Sequence, residues 1–186
     1  KHKSTKNVNN NVIKKVCVLF FLLNLVFAQD KIELKQADSL SSTQTNNETL
    51  TSLKGNIIFK KGNQLLYGDR AMQSSNNDIV KLYGNVKIED GNKIIFCDSL
   101  FFDTEKDKME LLGRVSINNG NQIITSSKGS LDNKNEKITL LSNSTVEDNN
   151  QKIEGDLIEI IFDKSEIISL EVLENGSIFS KNFGYE

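Results

Sequence analysis

The sequence is poor in the residue types on which many catalytic and metal sites depend. Its 186 residues include no Pro, no Trp, one His and two Cys. His2 and Cys17 both lie in the first 28 residues, which leaves Cys97 as the only such side chain in the rest of the chain. Without an imidazole there is no common general base, no partner to activate a thiol and no zinc ligand set. We therefore predict a protein that is not an enzyme and has no cofactor and no metal site, with Cys97 as a small buried side chain.

The N-terminal segment has the features of a cleaved export signal in their usual order. Lys14 and Lys15 precede the apolar run VCVLFFLLNLVF, and Ala28 supplies a small residue for cleavage. Spanning a bilayer takes about twenty apolar residues, so this shorter run favours a signal over a short transmembrane anchor or a buried helix. The sequence predicts a signal peptide at residues 1–28 and a mature domain at residues 29–186.

The predicted mature domain is acidic. Five of the 23 basic residues lie in the signal segment, which leaves 18 basic against 25 acidic residues and a net charge of −7. Binding to nucleic acid depends on an excess of Lys and Arg on one face. We therefore predict that nucleic acid is not a partner.

A 29-residue repeat accounts for most of the mature domain, and such self-similarity decides the architecture. Its copies begin at Leu53, Leu82, Leu111 and Leu140, and the second and third read LYGNVKIEDGNKIIFCDSLFFD and LLGRVSINNGNQIITSSKGSLD. A half copy, QADSL, precedes them at residues 36–40 and echoes FCDSL of the second copy. A partial fifth copy begins with NGSIF at residues 175–179, after a short insertion.

Each copy alternates apolar or small residues with polar ones, and a tight turn divides it. With the first Leu as position zero, the positions +2, +4 and +6 are apolar or small and the residues between them are largely polar. Positions +9 and +10 read Gly-Asn in three copies and Asn-Asn in the fourth, and Gly at the first position of a two-residue loop is typical of a type II′ hairpin. The alternation predicts strands with one buried face. The turn then places +6 opposite +13, in the pairs Phe59–Leu66, Ile88–Ile95, Ile117–Ile124 and Val146–Ile153.

These patterns predict an all-β fold, an open antiparallel β-jelly roll or flattened β-taco built from 29-residue repeats. Small residues at +2 and +15 allow each strand to bend, so that two facing sheets share the same strands and enclose an apolar seam. A right-handed parallel β-solenoid is the alternative, because such turns also occur at solenoid corners. We expect the first complete strand, near Leu50–Phe59, and the last, near Ile167–Phe179, to lie at opposite open edges, where no Pro blocks further pairing.

The seam is the candidate functional site. It is either a dry core or a groove for acyl chains, since burying a dozen methylene groups gains on the order of 10 kcal/mol. We predict that a lipid-binding groove is formed by nine residues, named here the groove set: Ile57, Phe59, Leu66, Val86, Ile88, Ile95, Val115, Ile117 and Ile124.

An acidic residue recurs at position +16. It is Asp69, Asp98 and Asp156 in three copies, Asp38 in the half copy, and Ser127 in the third copy. A ladder of calcium sites is one interpretation, but each copy supplies a single carboxylate and calcium takes six or more oxygen ligands. We interpret these Asp side chains as hydrogen-bonded to the backbone at the bend of the strand.

The repeat resembles the OstA-like family, also called the LptA family. The family pattern of Gly-Asn-Val-x-Ile, a Gly turn, a short apolar run and an Ala-Asp type of pair is carried by GNIIFKKGNQLLYGDRA (55–71), GNVKIEDGNKIIFCDSL (84–100) and GRVSINNGNQIITSSKGS (113–130). The half copy QADSL matches the usual first occurrence after the signal. The fourth copy departs from the pattern, with Ser142 in place of Gly and Ser144 in place of the inward Val.

The resemblance implies a carrier in the periplasm that binds lipopolysaccharide by its lipid A acyl chains and passes it towards the outer membrane. It also implies like-folded transport components that join through edge strands, with a head-to-tail homo-oligomer as a further possibility. Two alternatives remain. One is the periplasmic N-terminal region of an outer-membrane lipopolysaccharide-assembly protein, and the other is a secreted β-repeat adhesin or structural protein with a dry core.

Overall fold

The computed structural model describes residues 31–45, 47–163 and 166–180. These residues form twelve strands: β1 (Glu33–Gln36), β2 (Ser39–Gln44), β3 (Thr49–Lys61), β4 (Gln64–Ser74), β5 (Ile79–Asp90), β6 (Lys93–Asp103), β7 (Lys108–Asn118), β8 (Ile123–Asp132), β9 (Lys137–Glu147), β10 (Gln151–Asp163), β11 (Glu166–Glu174) and β12 (Ser177–Ser180). Within the described residues no helix is long and apolar enough to cross a membrane. The predicted signal peptide lies outside the described residues.

All twelve strands belong to one antiparallel sheet. Consecutive strands from β3 to β11 are neighbours, β1 and β2 both pair with β3, and β11 and β12 both pair with β10. The antiparallel pairing confirms the open jelly roll and shows that the alternative of a parallel solenoid is wrong. The connections β3–β4 and β5–β6 are two-residue turns, as the sequence pattern predicted.

The hairpin register follows the predicted pairing. Phe59 lies opposite Leu66, Ile88 opposite Ile95 and Ile117 opposite Ile124. In the first two hairpins a two-residue loop closes the pair, and its Gly has a positive φ of 55° or 59°. A positive φ at the first loop position alone is the geometry of a type II′ turn. Gly adopts such a φ readily, whereas residues with a Cβ rarely do.

Every long strand bends near its middle, where the register shifts. In β5 the shift lies between Tyr83 and Val86, and the two residues that it skips, Gly84 and Asn85, have φ values of 75° and 46°. A Cβ atom at Gly84 would lie 2.6 Å from a carboxylate oxygen of Asp69 on the neighbouring strand. Gly is therefore required there both by the backbone conformation and by the space, and the bulge lets the sheet fold over on itself.

Folding along this column of bulges brings the two halves of the inner face together. The inward residues on both sides of the bend are buried, although each strand has neighbours only within a single sheet. Leu82 and Leu100, which pair on one side of the bend, have no exposed surface, and neither has Ile117 on the other side. A flat sheet would leave these side chains in water, so the hydrophobic effect drives the fold-over.

The two partial copies form the ends of the sheet. The prediction that the strand near Leu50–Phe59 lies at an open edge is therefore wrong. β3 is not an edge strand, because β1 and β2 of the half copy cover its outer side. At the other end β11 and β12 pair with β10 and form the first strand of the fifth copy. Within the described residues the two edges of the sheet are therefore β1 with β2 and β11 with β12. Each edge is a bent strand that is interrupted at its middle.

Candidate functional site: the apolar seam and its mouth

The structure brings the whole groove set together on the inner face of the first three copies, on the hairpin side of the bend. Its nine side chains belong to one cluster and are at most 6% exposed, Phe59 being the most exposed of them. Alternation along each strand points them inward, and the hairpin register stacks them from one copy to the next. The groove set is thus one wall of a closed seam, and its role as a lipid-binding surface stays a prediction.

The opposite wall comes from residues that the groove set left out. These are the inward residues beyond the bend, and the fully buried ones include Leu82, Leu100, Phe102, Met109, Leu111, Ile138, Leu140, Ile158 and Ile160. They occupy position zero of each copy, the position two residues before it, and positions +18 and +20. The alternation in the sequence already indicated that these residues point inward. Only the folded sheet shows that they face the groove set.

The seam becomes polar where the fourth copy departs from the pattern. Ser144 is 1% exposed, and its hydroxyl lies 3.0 Å from that of Ser126 on β8. The single proton of the Ser126 hydroxyl is shared between two carbonyls beside the bulge, that of Lys128 at 2.8 Å and that of Leu141 at 3.0 Å. Buried hydroxyls that find partners cost little, so this part of the seam is stable but less suited to an acyl chain.

The mouth of the seam is the line along which two rows of turns meet. One row holds the hairpin turns, and the other holds the connections between copies. Lys61, beside the first hairpin turn, places its Nζ 2.7 Å from Oδ2 of Asp107 in the connection between the second and third copies. Both side chains are largely buried, with 10% and 17% exposed, so water screens this pair less than it screens the surface pairs. The ion pair joins the two sides of the mouth.

Further contacts across the mouth are looser. Gln64 Nε2 donates to Oδ1 of Asn133 at 3.4 Å, while Gln64 Oε1 is buried without a hydrogen-bond partner in the described part of the chain. Lys93 Nζ lies 5.4 Å from the centre of the Phe162 ring across the same line. A cavity of about 250 Å³ between the two rows is lined by these groups. An orphaned buried oxygen and a cavity indicate a closure that is held by few strong contacts.

The seam also reaches the surface at the N-terminal end of the sheet. A cavity of about 230 Å³ there is lined by inward residues of the half copy, Leu34 and Leu40, and by Phe59 and Val80 of the core. Leu34 is 42% exposed and Leu40 is 62% exposed, although both occupy inward positions. The apolar interior is therefore open at this end.

The recurring Asp residues bond to side chains of the following copy, and the prediction that they bond to the backbone is wrong. Asp69 accepts from Asn85 at 2.8 Å, and Asp98 accepts from Nε of Arg114 at 2.9 Å. The Arg114 guanidinium holds the pKa of Asp98 below its usual range. Equivalent bonds join Asp38 to Asn56 at 2.9 Å and Asp156 to Asn175 at 2.6 Å.

The junction between the third and fourth copies lacks this bond, and two residues are exchanged there. Ser127 replaces the Asp, and Ser142 replaces the Gly that packs against the carboxylate in the other copies. Ser142 nevertheless keeps a positive φ of 66°. The absence of the carboxylate at Ser127 leaves room for the Cβ atom of Ser142, so the first exchange makes the second one possible.

Cys97 is a buried side chain, as predicted. It is 5% exposed, and burial raises the pKa of its thiol to about 12. The thiol therefore stays protonated at neutral pH and is a poor nucleophile.

The fold and the site define a class: an all-β repeat protein whose folded antiparallel sheet encloses one continuous apolar seam. The model of the family of OstA-like proteins matches residues 29–96. Among solved structures the chain is similar to LptH from Pseudomonas aeruginosa, described as the LptA-homologous periplasmic component of the lipopolysaccharide transport device. The TM-score is 0.53 at 14% identity, over 61% of this chain and 84% of that chain. A comparison with curated protein sequences gives no match. The family model covers the half copy, the first complete copy and about half of the second, and the likeness to LptH shows that the two proteins share a fold.

Proposed function

We propose that this protein is a periplasmic carrier that binds the acyl chains of lipopolysaccharide in its seam and passes the lipid towards the outer membrane. Residues 1–28 would be its export signal and residues 29–186 its functional domain. The observation that carries the proposal is the seam itself, an apolar interior that runs through every copy of the repeat and reaches the surface at the N-terminal end. The match of residues 29–96 to the model of OstA-like proteins and the similarity to LptH support the same function.

The route for the lipid is the mouth. Acyl chains must displace the contacts between the groove set and the opposite wall, because both are buried. The bulge column is a hinge for this movement, since strands bend there without loss of neighbouring pairs. The mouth opens when Lys61 leaves Asp107, and the polar head of the lipid then stays in water outside. Burial of the acyl chains stabilises the open form by about 0.8 kcal/mol for each methylene group.

The two open edges carry complementary halves of one repeat. Ile178 on β12 occupies position +6, since it lies opposite Ile153, and Leu34 on β1 occupies position +13, since it lies opposite Phe59. In every complete copy these two positions pair within a hairpin. Docking β12 of one molecule on β1 of the next would restore that pair and continue the seam. The contact does not close on itself, so it favours head-to-tail chains with further copies or with like-folded partners.

We expect Ile178→Asp to abolish this self-association and to leave the monomer folded. Ile178 is 69% exposed in the single chain, so a carboxylate there stays hydrated, whereas in the joint it would be buried opposite Leu34. Sedimentation velocity over a concentration series measures the oligomer size, and Leu40→Asp at the other edge should have the same effect. Open-ended oligomers that persist in both variants would contradict the joint.

The experiment that tests the carrier function is mass spectrometry of lipid that co-purifies with the protein from its native envelope. The expected result is lipopolysaccharide, identified by its lipid A fragment, in amounts comparable to the protein. Protein that is free of lipid, and that takes up none when mixed with purified lipopolysaccharide, would favour a structural protein with a dry core.

A further inference from the structure

A pair of unpartnered cations lies on the outer face of the sheet, away from the seam. Lys54 on β3 lies directly opposite Arg70 on β4, and both side chains are exposed. In the described part of the chain neither makes a hydrogen bond or an ion pair. The nearby carboxylates are engaged elsewhere, Asp38 with Asn56 and Asp69 with Asn85. Like charges directly opposite on neighbouring strands destabilise a sheet, so the presence of this pair calls for an explanation other than stability.

The repeat supplies an internal comparison for this position. The same cross-strand pair is Tyr83–Ser99 in the second copy, Leu112–Lys128 in the third and Leu141–Leu157 in the fourth. Each of these holds at most one charge. The fold therefore accepts neutral residues here, and the two cations of the first copy are not required by the architecture.

A concave surface surrounds the same pair. A cavity of about 360 Å³ is lined by Lys54 and Arg70 together with Ser52, Met72 and Tyr83. The Tyr83 ring is fixed by an edge-on contact with Phe101, at 6.0 Å between ring centres. Lys81 lies opposite Met72 on the neighbouring strand, with its Nζ 5.4 Å from the centre of the Phe101 ring, and adds a third positive charge next to the cavity. The cavity thus combines two cations with the hydroxyl groups of Ser52 and Tyr83 and with an otherwise mainly apolar lining.

We propose that this outer cavity is a binding site for a phosphate group, distinct from the seam. A guanidinium forms paired hydrogen bonds with phosphate oxygens, and an ammonium group supplies a point charge beside it. Bound phosphate relieves the repulsion between Lys54 and Arg70 and replaces the missing carboxylate. Met72 and Tyr83 offer apolar contact to whatever carries the phosphate. The ligand is a phosphate monoester, either a free organic phosphate or the head group of a lipid.

The test is calorimetric titration of the full chain with inorganic phosphate, glycerol 3-phosphate and lysophosphatidic acid below its micelle concentration. We expect the phosphate-bearing probes to bind, and either Lys54→Gln or Arg70→Gln to weaken binding about tenfold or more. Lys128→Gln is the matched control, because Lys128 occupies the position of Arg70 in the third copy and is equally exposed but has neutral neighbours. It should leave binding unchanged.

Two further comparisons complete the test. The double variant K54Q/R70Q should lose binding without a lower melting temperature, since it removes a like-charge pair; a merely structural role predicts a lower one. Lysophosphatidic acid that binds about tenfold more tightly than glycerol 3-phosphate, with a difference that K54Q/R70Q removes, identifies a lipid head group, because acyl-chain binding in the seam would persist in that variant. Equal affinities identify a free phosphate. The proposal is overturned if no phosphate probe binds, if Lys128→Gln weakens binding as much, or if the double variant binds normally. Inorganic phosphate has no acyl chain, so this result is independent of lipid binding in the seam.

Discussion

A covalent link across the mouth should stop the protein from taking up acyl chains. We expect cysteines introduced by Lys61→Cys and Asp107→Cys, joined by a short reducible thiol crosslinker, to abolish uptake of a fluorescent fatty acid, and reduction of the linker to restore it. The two side chains meet across the mouth at 2.7 Å, so the link holds the turn rows together. The effect should be nearly complete, because the buried walls of the seam cannot separate while the link is intact.

The background for this experiment removes the two native thiols by Cys17→Ser and Cys97→Ser. Ser is already present at the position of Cys97 in the third copy, as Ser126. Lys108→Cys with Asp132→Cys is the matched control pair. These residues also form an ion pair, at 2.8 Å, but they are neighbours on β7 and β8 on one side of the mouth. A link there should leave uptake unchanged. Normal uptake by the protein linked across the mouth would show that acyl chains use another route.

The second large effect is expected from a charge inside the seam. Ile117 has no exposed surface, so Ile117→Asp must bury a carboxylate without a partner or expose the seam to water. The cost is about 3 kcal/mol or more, a large part of the stability of an ordinary domain. We expect a large fall in the denaturation midpoint, measured by chemical denaturation followed by circular dichroism, and loss of retained lipid.

Asn118→Asp is the matched control, because the neighbouring side chain is exposed on the outer face. The carboxylate can still accept the hydrogen bond from the Gly120 N–H that Asn118 Oδ1 accepts at 2.8 Å, so stability should change little. Val115→Ser separates lipid binding from folding, since the fourth copy tolerates Ser144 at the same position. It should fold and retain less lipid. A folded Ile117→Asp or Val115→Ser protein that retains lipid like the wild type would mean that the groove set does not bind lipid.

The strands and their register could be predicted from local chemistry. A two-residue Gly-Asn loop permits one hairpin register, and alternation then decides which side chains point inward. The pairing of Ile88 with Ile95 followed from these two facts, and the bend at Gly84 followed from the small residues at positions +2 and +15. Four copies repeat the same signal, so a local ambiguity in one copy is removed by the others. The predicted hydrogen-bond partners of the recurring Asp residues were wrong, because a carboxylate at a bend can accept equally well from the backbone or from a side chain.

The sequence by itself therefore determined the 29-residue repeat, the hairpin register that it favours and the inward positions of the groove set, because each depends on residues close together in the chain. The tertiary structure decided which parts meet across the fold: the opposite wall of the seam, the covering of β3 by the half copy, and the Lys61–Asp107 contact at the mouth. It also decided that Lys54 and Arg70 face each other beside a cavity without a carboxylate partner. These contacts join residues from different copies, and their positions depend on how sharply the sheet bends and twists, which no local pattern specifies.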